Sequence, residues 1–129
     1  MEEAVKKILI VEDETLLREI FKTQLAREGF SVFTAADGAA GLAEALARQP
    51  DLILLDLLMP KMDGITMLKA LRQDQWGARV PVMVLTNLSD AAAVAAAKES
   101  GVAYQDYLMK LDWKLEDIVK KIKDKLSLK

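Results

Sequence analysis

The stretch Asp51-Leu52-Ile53-Leu54-Leu55-Asp56-Leu57-Leu58-Met59-Pro60 sets two acids around a run of four aliphatic residues. A continuous apolar run this short, bounded by polar residues, reads as a strand buried on both faces of a parallel sheet. Asp56 then stands at the carboxyl end of that strand, on the edge where open α/β sheets bind ligands. An ionised carboxylate is expensive to bury without a partner, so Asp56 predicts a cation or a chemical role. An earlier run, Ile8-Leu9-Ile10-Val11, ends in two acids, Glu12 and Asp13. Three acids at the ends of two buried strands predict a divalent-metal pocket around one reactive carboxylate.

The rest of the chain alternates around these two strands. Residues 7–11 form the first strand. From Glu14 onward Leu16, Leu17, Ile20, Phe21 and Leu25 recur at helical spacing, with Gly29 as the stop. Residues 30–35 read as a strand. After Asp37-Gly38, residues 39–48 read as a helix broken by Gln49-Pro50. Residues 52–55 are the central strand, and Gly64 opens a helix with Ile65, Met67, Leu68 and Leu71 on its apolar face. Residues 80–86 form a strand with Pro81 at its beginning, where a missing donor is tolerated. Ser89 caps an alanine-rich helix over 90–100, which Gly101 ends. Residues 103–109 are a fifth strand, and Asp112 is the expected N-cap of a last helix over 113–126. Five strands alternating with five helices predict a single flavodoxin-like, doubly wound (βα)5 domain. Its parallel five-stranded sheet has the order 2-1-3-4-5. The switch point lies between strands one and three, which sets Glu12, Asp13 and Asp56 side by side.

Composition narrows the chemistry. A chain of 129 residues, 52% hydrophobic and 29% charged, is sized for one well-buried core. Its net charge of −2 gives no footprint for direct nucleic-acid binding. The cluster Lys120-Lys121-Ile122-Lys123 reads as the solvated end of a helix. Without cysteine there are no disulfides, thiolate metal sites or thiol nucleophiles, and without histidine no serine–histidine triad or histidine zinc site. Chemistry falls to carboxylates, hydroxyls and lysine. No signal peptide or run of about 18 apolar residues is present, so a soluble cytoplasmic protein with no membrane association is expected.

The set Glu12-Asp13, Asp56, Met59-Pro60-Lys61-Met62-Asp63-Gly64, Thr86, Tyr107 and Lys110, in this order and at these strand ends, resembles the CheY-like receiver domains of two-component response regulators. The resemblance spans essentially the whole chain, residues 1–129, and implies a receiver with no output domain. It implies that Asp56 accepts a phosphoryl group from the phosphohistidine of a histidine kinase or phosphotransfer protein. It implies Mg2+ (or Mn2+) bound directly by Asp13, Asp56 and the backbone carbonyl of Leu58, with Glu12 acting through water. Lys110 would pair with Asp56 and then with a phosphoryl oxygen, and the Thr86 hydroxyl would donate to another. Thr86 and Tyr107 would form a switch. The helix over 90–100, the fifth strand and the last helix would present the responding face to a downstream protein effector or to a second copy in a homodimer. Asp13 or Glu14 would also serve as an N-cap for the first helix.

Some positions depart from the family pattern. Leu111 follows Lys110 where most receivers have proline, so a trans peptide is expected there. Asn87 follows Thr86, and Leu58 and Leu88 replace positions that are often polar. An apolar rim orients attacking water poorly, which predicts slow loss of the phosphoryl group. A competing reading is a small Mg2+-dependent phosphotransferase or phosphatase that turns over through an aspartyl-phosphate. Leu58 stands where such an enzyme would carry a second acid, and no cap insertion is visible, so no turnover enzyme is expected. A flavodoxin-like cofactor binder fits worse, because no glycine- and hydroxyl-rich loop follows the first strand.

Overall fold

The computed structural model describes residues 5–56, 64–86, 95, 99, 107–109 and 114–126. Strands β1 (Lys7–Val11), β2 (Ser31–Ala35), β3 (Leu52–Asp56), β4 (Val82–Thr86) and β5 (Tyr107–Met109) form one parallel sheet in the order β2-β1-β3-β4-β5. Helices α1 (Thr15–Arg27), α2 (Gly38–Arg48), α3 (Gly64–Gln73) and α4 (Leu115–Lys125) join or follow them. Residues 95 and 99 are helical, while the remainder of the alanine-rich helix expected over 90–100 lies outside the described residues. The doubly wound fold and its strand order are those the alternation predicts.

Every residue of β3 is buried, and its side chains divide between two cores. On one face Ile53 and Leu55 join Leu9, Val11, Met67, Leu68 and Leu71. On the other, Leu52 and Leu54 join Ile8, Ile10, Phe21, Leu25, Ile118 and Ile122. This two-sided burial explains the uninterrupted apolar run Leu52–Leu55, since a strand covered on both faces leaves a polar residue only at its end, where Asp56 stands.

Helix boundaries follow local chemistry. Gly29, at φ +96°, ends the α1 region in the left-handed conformation that glycine adopts without a Cβ penalty. The Asp37 carboxylate accepts from the Ala40 N–H at 2.8 Å and caps α2. At the other end of α2, Gln49 takes a left-handed conformation, φ 47°, before Pro50.

Helix faces and caps follow the local pattern only in part. Leu16 and Ile20 do not pack inward; they are 69% and 42% exposed, because Phe21 and Leu25, helped by Leu17, fill the stripe the sheet covers. Glu14 is the N-cap of α1, but its side chain makes no capping bond. The cap of α4 is Lys114, not Asp112, again without a side-chain bond.

Glu28 at the end of α1 pairs with Lys123 of α4, tying the two helices on this face together. The hydrogen bond from Lys123, and then its charge, hold the Glu28 carboxyl below its ordinary value. A depressed carboxylate pKa stabilises the fold above the unfolded-state pKa, and that stability is lost as pH falls through the folded value. Glu28→Gln is therefore expected to be slightly less stable than the native chain at neutral pH. In urea melts the gap should close below about pH 4, under the ordinary carboxylate value. An equal gap at both pH values would remove the ion pair as its source.

Candidate functional site

The register of β3 assembles the site. Val11 pairs with Leu55, so Glu12, the residue directly after β1, comes level with Asp56 at the carboxyl edge. On the other side Asp56 pairs with Leu85 of β4. Glu12 and Asp56 are buried, 2% and 5% exposed, and are the buried charged side chains among the described residues. They share a small space with Ile10, Phe21, Leu54 and Leu85. Asp13 stands beside them in solvent.

One carboxylate oxygen from each of Glu12, Asp13 and Asp56 lies within 4.8 Å of the others. Two full charges at that distance repel by on the order of 3 kcal/mol at an effective dielectric of 20. A cation placed among the three oxygens would offset that repulsion. An all-oxygen donor set of carboxylates suits a hard divalent ion such as magnesium or manganese. The residues present therefore fit the metal that the sequence predicts.

The backbone around the acids is held at several points. The Glu12 N–H donates to the Ala35 carbonyl at 3.0 Å. The extra methylene of Glu12 folds its carboxylate back toward the chain, where Oε2 accepts from the Glu14 N–H at 3.1 Å. Arg18 Nη1 donates to the Glu12 carbonyl at 2.8 Å and to the Asp13 carbonyl at 3.4 Å. Arg18 was not legible as a site residue in the sequence. Its one signal is a cation five residues after the acid pair, and such spacing is common on solvated helices.

The remaining expected residues fall around this edge to different degrees. Thr86 closes β4, one residue past the partner of Asp56, and pairs in register with Met109. Tyr107 opens β5 opposite Val84. Lys110, Leu58 and the segment 57–63 lie outside the described residues. A cleft of about 580 Å³ lined by Asp51, Trp76, Arg79 and Pro81 opens at the opposite, amino edge of the sheet, away from the acids.

Comparison with known proteins follows the same lines. Residues 8–123 match the family described as the response regulator receiver domain. The chain is 46% identical over 103 residues to the KDP operon transcriptional regulatory protein KdpE of Escherichia coli, covering 80% of this chain and 44% of that protein. It is 39% identical over 104 residues to the DNA-binding dual master transcriptional regulator RpaA of Synechocystis, covering 81% of this chain and 42% of RpaA. It thus spans somewhat under half the length of these two relatives. Among solved structures, the chemotaxis protein CheY4 of Vibrio cholerae superposes with a TM-score of 0.84 at 30% identity, covering 94% of this chain and 98% of CheY4. A CheY-like receiver domain protein from Methanospirillum hungatei gives a TM-score of 0.86 at 29% identity, covering 96% and 95% of the two chains.

Proposed function

The chain belongs to the family of response-regulator receiver domains, and from that premise we propose that it is a phosphorylation-controlled binding switch centred on Asp56. The observation that carries this reading is a buried carboxylate at the end of the central strand with two further acids within 4.8 Å. An Asp56 oxygen attacks the phosphorus of a phosphohistidine on a histidine kinase or phosphotransfer protein. A P–O bond forms, the N–P bond breaks, and the imidazole leaves with the bonding pair and takes a proton from solvent. A carboxylate nucleophile needs no general base, so the absence of histidine is no obstacle. Mg2+ (or Mn2+), when bound, neutralises charge on the transferring oxygens. Glu12, Asp13, Asp56 and the Leu58 carbonyl would hold it. Lys110 supplies a point charge to the phosphoryl group, and Thr86 a hydroxyl donor.

The added charge of about −1.5 to −2 then biases the packing of the loops that adjoin Thr86 and Tyr107. The helix expected over 90–100, together with β5 and α4, would carry the change to a protein effector or a second copy. The reaction is stoichiometric, so the chain is a switch and not a turnover enzyme. With no basic footprint of its own, it does not contact nucleic acid directly, and its setting is the cytoplasm. Among the described residues no helix is long and apolar enough to cross a membrane.

The test is treatment with a small acyl-phosphate donor and Mg2+. One phosphoryl group per chain on Asp56, with altered amide exchange over β4 and β5, is the expected result. Repeated turnover of a phosphomonoester would replace the switch with the enzyme reading, and no labelling would end both. The apolar Leu58 and Leu88 further predict slow decay of phospho-Asp56 in Mg2+ without a phosphatase. A rapid decay would show that water reaches the acyl phosphate freely.

The exposed Leu16 and Ile20 sit one turn apart on α1, starting three residues after Asp13, and offer an apolar landing beside the site for the donor protein. Leu16→Ser with Ile20→Ser is expected to cut transfer from a protein donor at least about tenfold, in line with loss of central apolar contacts. Labelling by the small donor should be unchanged. Equal loss with both donors would place the effect in the site itself.

A further inference from the structure

We propose that Arg18 is a positioning residue for the cation pocket, an inference that rests on reading Glu12, Asp13 and Asp56 as that pocket. Arg18 lies in the second turn of α1, half-buried, and its guanidinium turns back over the β1–α1 connection. There Nη1 donates to two successive carbonyls, Glu12 at 2.8 Å and Asp13 at 3.4 Å. On the strand side, the Glu12 N–H is held by the Ala35 carbonyl at 3.0 Å. The backbone that presents both acids is thus pinned to β2 on one side and to α1 on the other. Without the guanidinium, the two carbonyls would turn freely toward solvent, and the exposed Asp13 carboxylate would be the first to leave its place near Asp56. One guanidinium nitrogen at the end of a long, planar-headed side chain reaches both carbonyls, whereas a lysine ammonium is a strongly hydrated point charge on a shorter arm.

Charge and position pull in opposite directions, and that makes the role measurable. As a nearby cation, Arg18 opposes binding of a divalent ion, so removing its charge alone would tighten binding. As the residue that fixes the loop, it favours binding, so removing it loosens the pocket. Groups that orient metal ligands are typically worth about 10- to 100-fold in metal affinity.

The experiment titrates Mg2+ into the native chain, Arg18→Met and Arg18→Lys by calorimetry. It also follows phosphoryl labelling by a small acyl phosphate against Mg2+ concentration, so that no protein donor is involved. Both variants should bind Mg2+ about tenfold more weakly. The half-saturating Mg2+ for labelling should rise in step, while the rate at saturating Mg2+ stays within about twofold, since positioning can be restored by the bound ion. Amide exchange at Asp13 and Glu14 should quicken in the metal-free variants. Arg18→Met binding as tightly as the native chain or tighter, with Arg18→Lys unchanged, would overturn the proposal and leave Arg18 as a bystander charge. If Arg18→Met does not fold, judged by circular dichroism, Arg18→Lys decides alone. If the native chain binds no Mg2+, the cation reading of the pocket fails and this proposal falls with it, which the native titration reveals separately from any variant.

Discussion

Asp56→Asn is expected to abolish phosphoryl labelling and, in the same protein, to raise the stability of the metal-free fold. The first effect follows from chemistry, because an amide oxygen is too weak a nucleophile to form an acyl phosphate. The second follows from geometry. The Asp56 carboxylate is 5% exposed and has oxygens of Glu12 and Asp13 within 4.8 Å. Removing one of three crowded negative charges relieves repulsion that Coulomb's law puts at a few kcal/mol per pair before other contacts are counted. A net gain of about 1–2 kcal/mol in urea melts with chelator present is the expected size. Mg2+ should reverse the order. At about a hundred times its Kd the ion adds about 2.7 kcal/mol to a fold that binds it. The native chain should show that gain, and Asp56→Asn almost none of it. A variant that is less stable than the native chain without metal, and equally stabilised by Mg2+, would show that Asp56 belongs to no cation pocket.

Gly77→Ala should be the most damaging small substitution in the described part of the fold. Gly77 lies in the connection from α3 to β4, where a Cβ would fall well inside contact distance of the Leu71 carbonyl oxygen and close to Leu71 Cδ1, at 2.9 Å. Neither backbone can yield cheaply. The Gly77 N–H donates to Asp74 Oδ2 at 2.8 Å, and its carbonyl accepts from Arg72 Nη1 at 2.7 Å. The same guanidinium nitrogen donates to the Val80 carbonyl at 2.9 Å, leading the chain into β4. Burial presses the Arg72 pKa below its ordinary value, so a shift of the Gly77 carbonyl weakens a hydrogen bond to a partly desolvated cation. Overpacking costs about 1–3 kcal/mol and a charge-assisted hydrogen bond about 1.5–3 kcal/mol. A loss of about 3 kcal/mol is expected, which lowers the melting temperature by about 10 °C in a domain of this size. Gly29→Ala is the control: its φ is +96° but nothing lies within 4 Å of the added Cβ. It should cost only about 1 kcal/mol. Gly77→Ala behaving like Gly29→Ala would mean that the connection is free to shift.

Much of the site could be read from the chain because burial leaves a one-dimensional trace. Leu52–Leu55 is apolar at every position because both of its faces are covered, and an acid directly after such a run stands out. The same contrast marks Glu12 after Ile8–Val11. Helix faces left a weaker trace. Leu16 and Ile20 carry the same periodicity as Phe21 and Leu25, yet the sheet covers only the latter pair. Helical spacing reports which residues share a face, and it is silent on how much of that face a neighbour covers.

The sequence by itself determined the alternation of strands and helices, the switch point between β1 and β3, and the identity of the three acids. These rest on local preference and on burial, both of which act on neighbouring residues in the chain. Tertiary structure alone decided that Glu12 folds back onto the Glu14 N–H, that Arg18 reaches the carbonyls behind the acids, and that Leu16 and Ile20 face solvent. A hydrogen bond is set by a few tenths of an ångström and by the direction of two groups. That information arises only when the sheet and α1 are docked, so no spacing along the chain can hold it.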